Sequence, residues 1–264
     1  MTYNRIARAV RQGYIATIAA VLVVTATGVA ARAATICVDP SGKHGCLTTI
    51  QAGVTAASAG DTVFVKTGKY FETVTVPSGK DGLILQGASK TGVVIIASYP
   101  DGIDVQSNNV TIETLSIETF YYWGIVVADG VSATTISKVR IQGQIYGGYA
   151  CINNGGPNTT VTKSTLNGCY YGIYTTASVG VFDSTISQCS NGCIYATADS
   201  VAIVHNTINP YGGYGIYVSG DGPEVNDNTI GPVSSYAISV SCHDSGYTTC
   251  TAASIGGNKA PGQI

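Results

Sequence analysis

The 264-residue sequence predicts an all-β fold, a solenoid of parallel strands, and two observations carry that prediction. Six segments end alike: Thr114-Leu115-Ser116-Ile117, Lys138-Val139-Arg140-Ile141, Lys163-Ser164-Thr165-Leu166, Asp183-Ser184-Thr185-Ile186, His205-Asn206-Thr207-Ile208 and Asp227-Asn228-Thr229-Ile230. Their terminal aliphatic residues recur in steps of 24, 25, 20, 22 and 22 residues. Such steps are too long for the strands of a hairpin meander and too short for a helical hairpin repeat, but they fit one coil of parallel strands. The second observation is a Gly-Ile-like strand opening each repeat, as in Gly102-Ile103-Asp104-Val105, Gly172-Ile173-Tyr174-Thr175, Cys193-Ile194-Tyr195-Ala196 and Gly215-Ile216-Tyr217-Val218. Residues one repeat apart then become neighbours ~4.8 Å apart, in columns along the axis, and function is read from those columns.

Residues 1–33 read as a secretory signal peptide. Arg5, Arg8 and Arg11 precede an uncharged run over 15–31, and Ala31-Arg32-Ala33 offers a small-x-small cleavage site. The competing reading is an uncleaved anchor, for which the run is only marginally long enough. Residues 34–264 are expected to form a single domain, secreted, periplasmic or at the cell surface, with no stable membrane association once the signal is cleaved. That mature chain holds eight Lys, Arg140 alone and 15 Asp and Glu, a formal charge of −6. No basic patch is available for phosphates, which argues against a nucleic-acid partner.

Cysteines behind a signal peptide point to disulfides. Cys37 and Cys46 close a short loop at one end, and Cys242 and Cys250 close another near the C-terminus. Cys169 and Cys189 each lie three residues after a column aliphatic, which stacks them in adjacent coils within bonding reach. The competing pairing joins Cys151 to Cys169 and Cys189 to Cys193, and both pairings stand at this point.

Before the regular repeats, 48–59 places Ile50, Val54 and Ala57 at helical spacing, with Gly60-Asp61 as the stop. This short helix is expected to cap the solenoid's open end, which otherwise exposes apolar columns and strand edges. Alternating strands follow at Thr62-Val63-Phe64-Val65 and Glu72-Thr73-Val74-Thr75-Val76, joined at Gly68, then Leu83-Ile84-Leu85 and Val93-Val94-Ile95-Ile96, with regular coils from Gly102. Each coil is expected to turn at the Ser or Asn of the repeated motif, where Asn206 and Asn228 stack and bond along the ladder.

Leu47-Thr48-Thr49-Ile50-Gln51-Ala52-Gly53-Val54, then Gly60-Asp61-Thr62-Val63, Gly68-Lys69-Tyr70-Phe71-Glu72 and the Asn-Thr-Ile repeats resemble the right-handed parallel β-helix proteins of the pectin lyase-like superfamily. The resemblance covers essentially the whole mature chain. It implies a right-handed parallel β-helix solenoid with a short N-terminal capping helix. For the reaction it implies little, because that superfamily holds lyases, hydrolases, esterases and members without known activity. Gly68-Lys69-Tyr70-Phe71-Glu72 is similar to an early pectin methylesterase motif, but the paired Asp, the DFIFG-like strand and the Arg-Pro-Trp segment have no counterpart. Asn206-Thr207-Ile208 and Asn228-Thr229-Ile230 lack the carboxylate of the polygalacturonase Asn-Thr-Asp. The Arg-centred base motif of pectate lyases is not matched by Arg140.

Three outward columns are candidates for chemistry. The first is Asp104, Val126, Asn153, Tyr174, Tyr195, Tyr217 and Ser239, with a tyrosine ladder whose flat faces and hydroxyls suit a sugar polymer. Tyr121, Tyr122, Trp123, Tyr149, Tyr171, Tyr214 and Tyr236 precede the same strands and are placed to wall the groove; the competing role of the ladder is purely structural. Asp104, Asn153, Tyr174, Tyr195 and Tyr217 are therefore the candidate carbohydrate-binding residues. The second column brings Asp199, Asp221 and His243 together. Asp199 and Asp221 are candidate Ca²⁺ ligands, the ion acidifying a uronate's C5 proton, and His243, Tyr195 or Tyr217 is the candidate base. The third column, with His205 between Asp183 and Asp227, reads as a solvated edge of weak ion pairs. The partner expected from these columns is a polysaccharide. The missing family motifs favour a non-catalytic surface or adhesion role, and the alternative is a polysaccharide lyase acting on an acidic, uronate-containing polymer.

Overall fold

The computed structural model describes residues 32–97, 100–144, 149–241 and 254–260. The signal-peptide reading of 1–33 rests almost wholly outside that range, as do Cys242, Cys250 and His243.

Aliphatic residues at every coil position dictate a three-sided parallel solenoid. Among the described residues the sheets hold eight, ten and eight strands in the order a coil passes through them, and each strand inside a sheet pairs with its equivalents one coil before and after. A coil runs through the first sheet, for example Tyr171–Thr175, then the second, Val179–Phe182, then the third, Thr185–Ser187. Strand alternation sends one set of side chains inward on each sheet. Ile103, Ile125, Ile152, Ile173, Ile194 and Ile216 stack from the first, Leu85, Ile112, Ile136, Val161, Val181 and Ile203 from the second, and Ile117, Ile141, Leu166, Ile186, Ile208 and Ile230 from the third, all fully buried. The repeated aliphatics that predicted the solenoid are the core column of its third sheet.

The position before each inward Ile of the first sheet must be small. A Cβ on Gly172 would stand 2.3 Å from Ile186 Cγ2 and 2.5 Å from the Cys193 carbonyl oxygen, closer than atoms pack.

The solenoid begins earlier than expected. Thr35–Val38 and Thr62–Val65 already pair in register with the later coils, and Gly68–Tyr70 is a strand of the third sheet rather than a joint. The capping helix α1 is shorter than 48–59, spanning Ile50–Ala56. Asp61 explains the early stop: its carboxylate accepts Ser58 N at 2.8 Å and Ala34 N at 2.7 Å, drawing the chain out of the helix and onto the first coil. Thr49 caps the other end by accepting Ala52 N, and Glu72 accepts both Ile50 N and Gln51 N at 2.8 Å. The Glu of the Gly-Lys-Tyr-Phe-Glu motif thus has a structural task, bonding the first free N–H groups of the cap. Lys80 Nζ closes the helix's far end by donating to the Thr55 and Ala57 carbonyls.

The corner between the second and third sheets differs by one residue from expectation. The left-handed residues are Thr114, Lys138, Lys163, Asp183, His205 and Asp227, with φ between 49° and 59°. Leu115 and Val139 follow the first two; after the other four, Ser164, Ser184, Asn206 and Asn228 are buried and serve as rungs of a hydrogen-bonded ladder. Asn228 Oδ1 accepts Asn206 N at 2.9 Å and Asn206 Nδ2 at 3.1 Å; Asn206 Oδ1 in turn accepts Ser184 N, and Ser184 Oγ accepts Ser164 N. Asn258 extends the ladder beyond Asn228.

Two disulfides overturn the stacked pairing. Cys151 bonds Cys169, and Cys189 bonds Cys193; Cys37–Cys46 forms as expected. Cys169 and Cys189 occupy loops that enter the first sheet, while Cys151 and Cys193 lie inside it in the column otherwise held by Gly and, in the last coil, Ala237, so each loop cysteine meets a strand cysteine instead of its equivalent one coil away.

Candidate functional site: a tyrosine face

The outward column of the first sheet forms in the expected register. Asp104, Val126, Asn153, Tyr174, Tyr195, Tyr217 and Ser239 are successive strand partners. Tyr174 and Tyr195 stack with ring centroids 5.2 Å apart and planes 8° from parallel, and Tyr195 and Tyr217 with centroids 5.0 Å apart at 11°. This geometry changes what the row offers. Parallel rings one strand spacing apart turn their faces to each other, so the row presents ring edges and a file of hydroxyls to solvent. A phenyl edge carries partial positive charge, and with the hydroxyls it favours oxygen-rich ligands.

The rim rings are more exposed than the row. Tyr149 contacts Tyr170, Tyr171 and Tyr174 at 5.5–6.0 Å, Tyr171 reaches Tyr195 at 5.6 Å, and Tyr214 links Tyr217 to Tyr236 at 6.0 Å on each side. These rings form one connected aromatic surface. Tyr149, Tyr170 and Tyr236 are 45%, 41% and 50% exposed, whereas Tyr171 is 9% exposed and anchors the surface from beneath. Its hydroxyl accepts Asn191 Nδ2 at 2.8 Å. Tyr121, Tyr122 and Trp123 make a second, smaller ring cluster near the N-terminal end of the face.

Downstream of the tyrosine strands lies a shallow trough of about 490 Å³ lined by Pro157, Thr176, Ser178, Thr197, Asp199 and Ser219. Asp199 and Asp221 do meet across adjacent coils, but Asp199 Oδ1 accepts Asp221 N at 2.7 Å. The pair leaves three further carboxylate oxygens for other partners. Among the described residues no three His, Cys, Asp or Glu side chains gather to hold a metal. His205 lies on the far corner of the coil, 3.5 Å from Asp227, with both side chains more than half exposed.

Three residues of this face were missed by the sequence reading. Tyr170 and Asn191 sit in loops entering the sheet, where the repeat gives no register; the Tyr170-Tyr171 doublet was the available signal. Asp101 is the third. Burial, then the nearby Asp104, pushes its carboxyl above the usual carboxylate range, although its bond from Trp123 N opposes the shift.

Burial, reinforced by neighbouring phenols, holds Tyr149, Tyr171, Tyr195 and Tyr214 above the ordinary phenol range. Tyr70, on the third sheet, is raised by burial and then by Asp39 and Glu72. The folded state therefore keeps protons that the unfolded chain releases from about pH 10 upward, so stability is fully present below that pH and falls as pH rises through the folded values. Ultraviolet titration of the phenols is expected to resolve a delayed set of tyrosines, with melting temperature falling over the same window and falling less in Tyr171→Phe. A single ordinary titration for all tyrosines would contradict this account.

Fold and face together define a parallel β-solenoid with an aromatic, hydroxyl-lined side. The chain belongs to the right-handed β-helix family: the model of the right handed beta helix region matches residues 61–208 and again 123–262. No curated protein sequence matches the chain. Among solved structures it is similar to Escherichia coli YbhC, at 16% identity and a TM-score of 0.61 over 88% of this chain and 86% of that one. It is similar to rice weevil pectin methyl esterase at 13% identity and 0.57 over 88% and 90%, and to an alginate lyase of a Paenibacillus species at 11% and 0.54 over 87% and 96%. At these identities the likeness is one of fold.

Proposed function

We propose that the chain is an exported β-helix protein that binds polysaccharide on its tyrosine face without turning it over. The connected surface running from Tyr149 and Tyr170 through Tyr174, Tyr195 and Tyr217 to Tyr236 carries this reading. One rung per coil along a straight axis suits a polymer with a regular repeat. Structural neighbours that include a pectin methyl esterase and an alginate lyase give the carbohydrate reading its context. The non-catalytic part rests on the motifs that the sequence lacks: the paired Asp and Arg-Pro-Trp of pectin methylesterases, the carboxylate of the polygalacturonase Asn-Thr-Asp and the Arg-centred base of pectate lyases. Burial, then the neighbouring phenols of Tyr217 and Tyr174, raise the Tyr195 phenol, which suits a hydrogen-bond donor better than a base. Among the described residues three disulfides fit an oxidising compartment, and no helix there is long and apolar enough to cross a membrane.

The test is affinity electrophoresis of the purified protein through gels containing soluble polysaccharides, alongside ultraviolet detection of the unsaturated product of β-elimination on polygalacturonate and alginate. Retention without product is expected. Product formation that is lost in His243→Ala or Tyr195→Phe would sink the non-catalytic reading in favour of the lyase.

A further inference from the structure

Charge on the tyrosine face narrows the ligand. No Lys or Arg occurs in any strand of the first sheet, from Val74–Val76 to Ile238–Ser241, nor in the loops that enter it. Of the loops leaving that sheet only the first carries a cation, Lys80, and its ammonium is turned to the carbonyls of the capping helix. Between residues 141 and 241 the only Lys or Arg is Lys163, at the corner between the second and third sheets. The acids are distributed the other way. Asp101 and Asp104 stand at the N-terminal end of the face, and Asp199 and Asp221 flank the tyrosine row beside the trough.

Resting on the polysaccharide-binding reading above, we propose that the ligand of this face is a neutral glycan lying along the solenoid axis, and that uronate polymers are rejected. A uronate chain laid on the row would bring one carboxylate every sugar or two toward uncompensated aspartates, with no cation to offset its desolvation. A neutral glycan meets what the face does supply: the hydroxyl file of Tyr174, Tyr195 and Tyr217, the exposed rings of Tyr149, Tyr170 and Tyr236, and the Thr and Ser side chains of the trough.

Affinity electrophoresis with hydroxyethylcellulose, galactomannan and laminarin as neutral probes, and polygalacturonate and alginate as acidic ones, tests this at low and high salt and with Ca²⁺ or chelator. Retention on at least one neutral probe is expected to exceed that on either acidic probe by about tenfold or more, and to be insensitive to salt because no ion pair is made. It is expected to be lost in Tyr195→Ala and in the loop variant Tyr170→Ala, each checked for an unchanged melting profile. Stronger retention on polygalacturonate or alginate, or Ca²⁺-dependent retention abolished by Asp199→Asn, overturns the neutral ligand while leaving the tyrosine face as the site. Retention that survives both tyrosine substitutions, or no retention on any probe, overturns the binding reading itself.

Discussion

Tyr195→Ala is expected to weaken polysaccharide retention by about one to two orders of magnitude, roughly 1.5–3 kcal/mol, the range for removing a central aromatic anchor. Tyr195 is the middle rung, stacked between Tyr174 and Tyr217 and touched from beneath by Tyr171. Its loss opens a gap two coil spacings wide and interrupts both the hydroxyl file and the ring edges. Tyr195→Phe preserves the stack and removes one hydroxyl, for a smaller loss of about 0.5–1.5 kcal/mol. Retention measured across a polymer concentration series should therefore rank native above Phe above Ala. Equal retention by the Ala variant and the native protein would show that the row is not the site. Ring stacking contributes only about 0.5–1.5 kcal/mol per pair, so the Ala variant should stay folded, which its melting curve checks.

Asn228→Leu should lower global stability by about 3–5 kcal/mol, because each buried polar group left without a partner costs roughly 1–3 kcal/mol. Asn228 Oδ1 serves both Asn206 N and Asn206 Nδ2, and its own Nδ2 donates to the Ile203 carbonyl at 2.8 Å. Leucine matches the side chain's bulk but satisfies none of these groups. Asn228→Ser should be milder, since Ser184 and Ser164 occupy the equivalent rung one and two coils before Asn206 and each accepts the preceding rung's N–H or its neighbour's. Urea unfolding with an unchanged m-value reads the difference directly. An equal effect of Leu and Ser would mean that the ladder's bonds contribute little.

Positions inside strands were legible in the sequence because alternation and register leave them no freedom. Ile103 through Ile216 lie inward and Tyr174, Tyr195 and Tyr217 outward, as the aligned repeats require. Legibility ended where a residue's neighbour was set by loop path. The cysteines show this: Cys169 and Cys189 share a repeat position, yet each bonds a strand cysteine, because the loops fold back onto the sheet they enter. Asn258 joins the Asn ladder 30 residues after Asn228, beyond a longer connection that hides the repeat. Ring orientation was likewise out of reach, since a column of tyrosines fixes proximity but not whether faces or edges meet solvent.

Uneven repeat lengths acquire a meaning from the uniform pairing. Coils of 20 to 25 residues align strand for strand, so every difference in length is absorbed between strands. A whole coil can therefore be duplicated or deleted as one module, adding or removing a rung in all three sheets while every surviving column keeps its alignment. A single residue inserted within a strand would instead shift the three faces against their neighbours. Such a chain changes the reach of its tyrosine row in whole coils, like a ruler cut only at its marks.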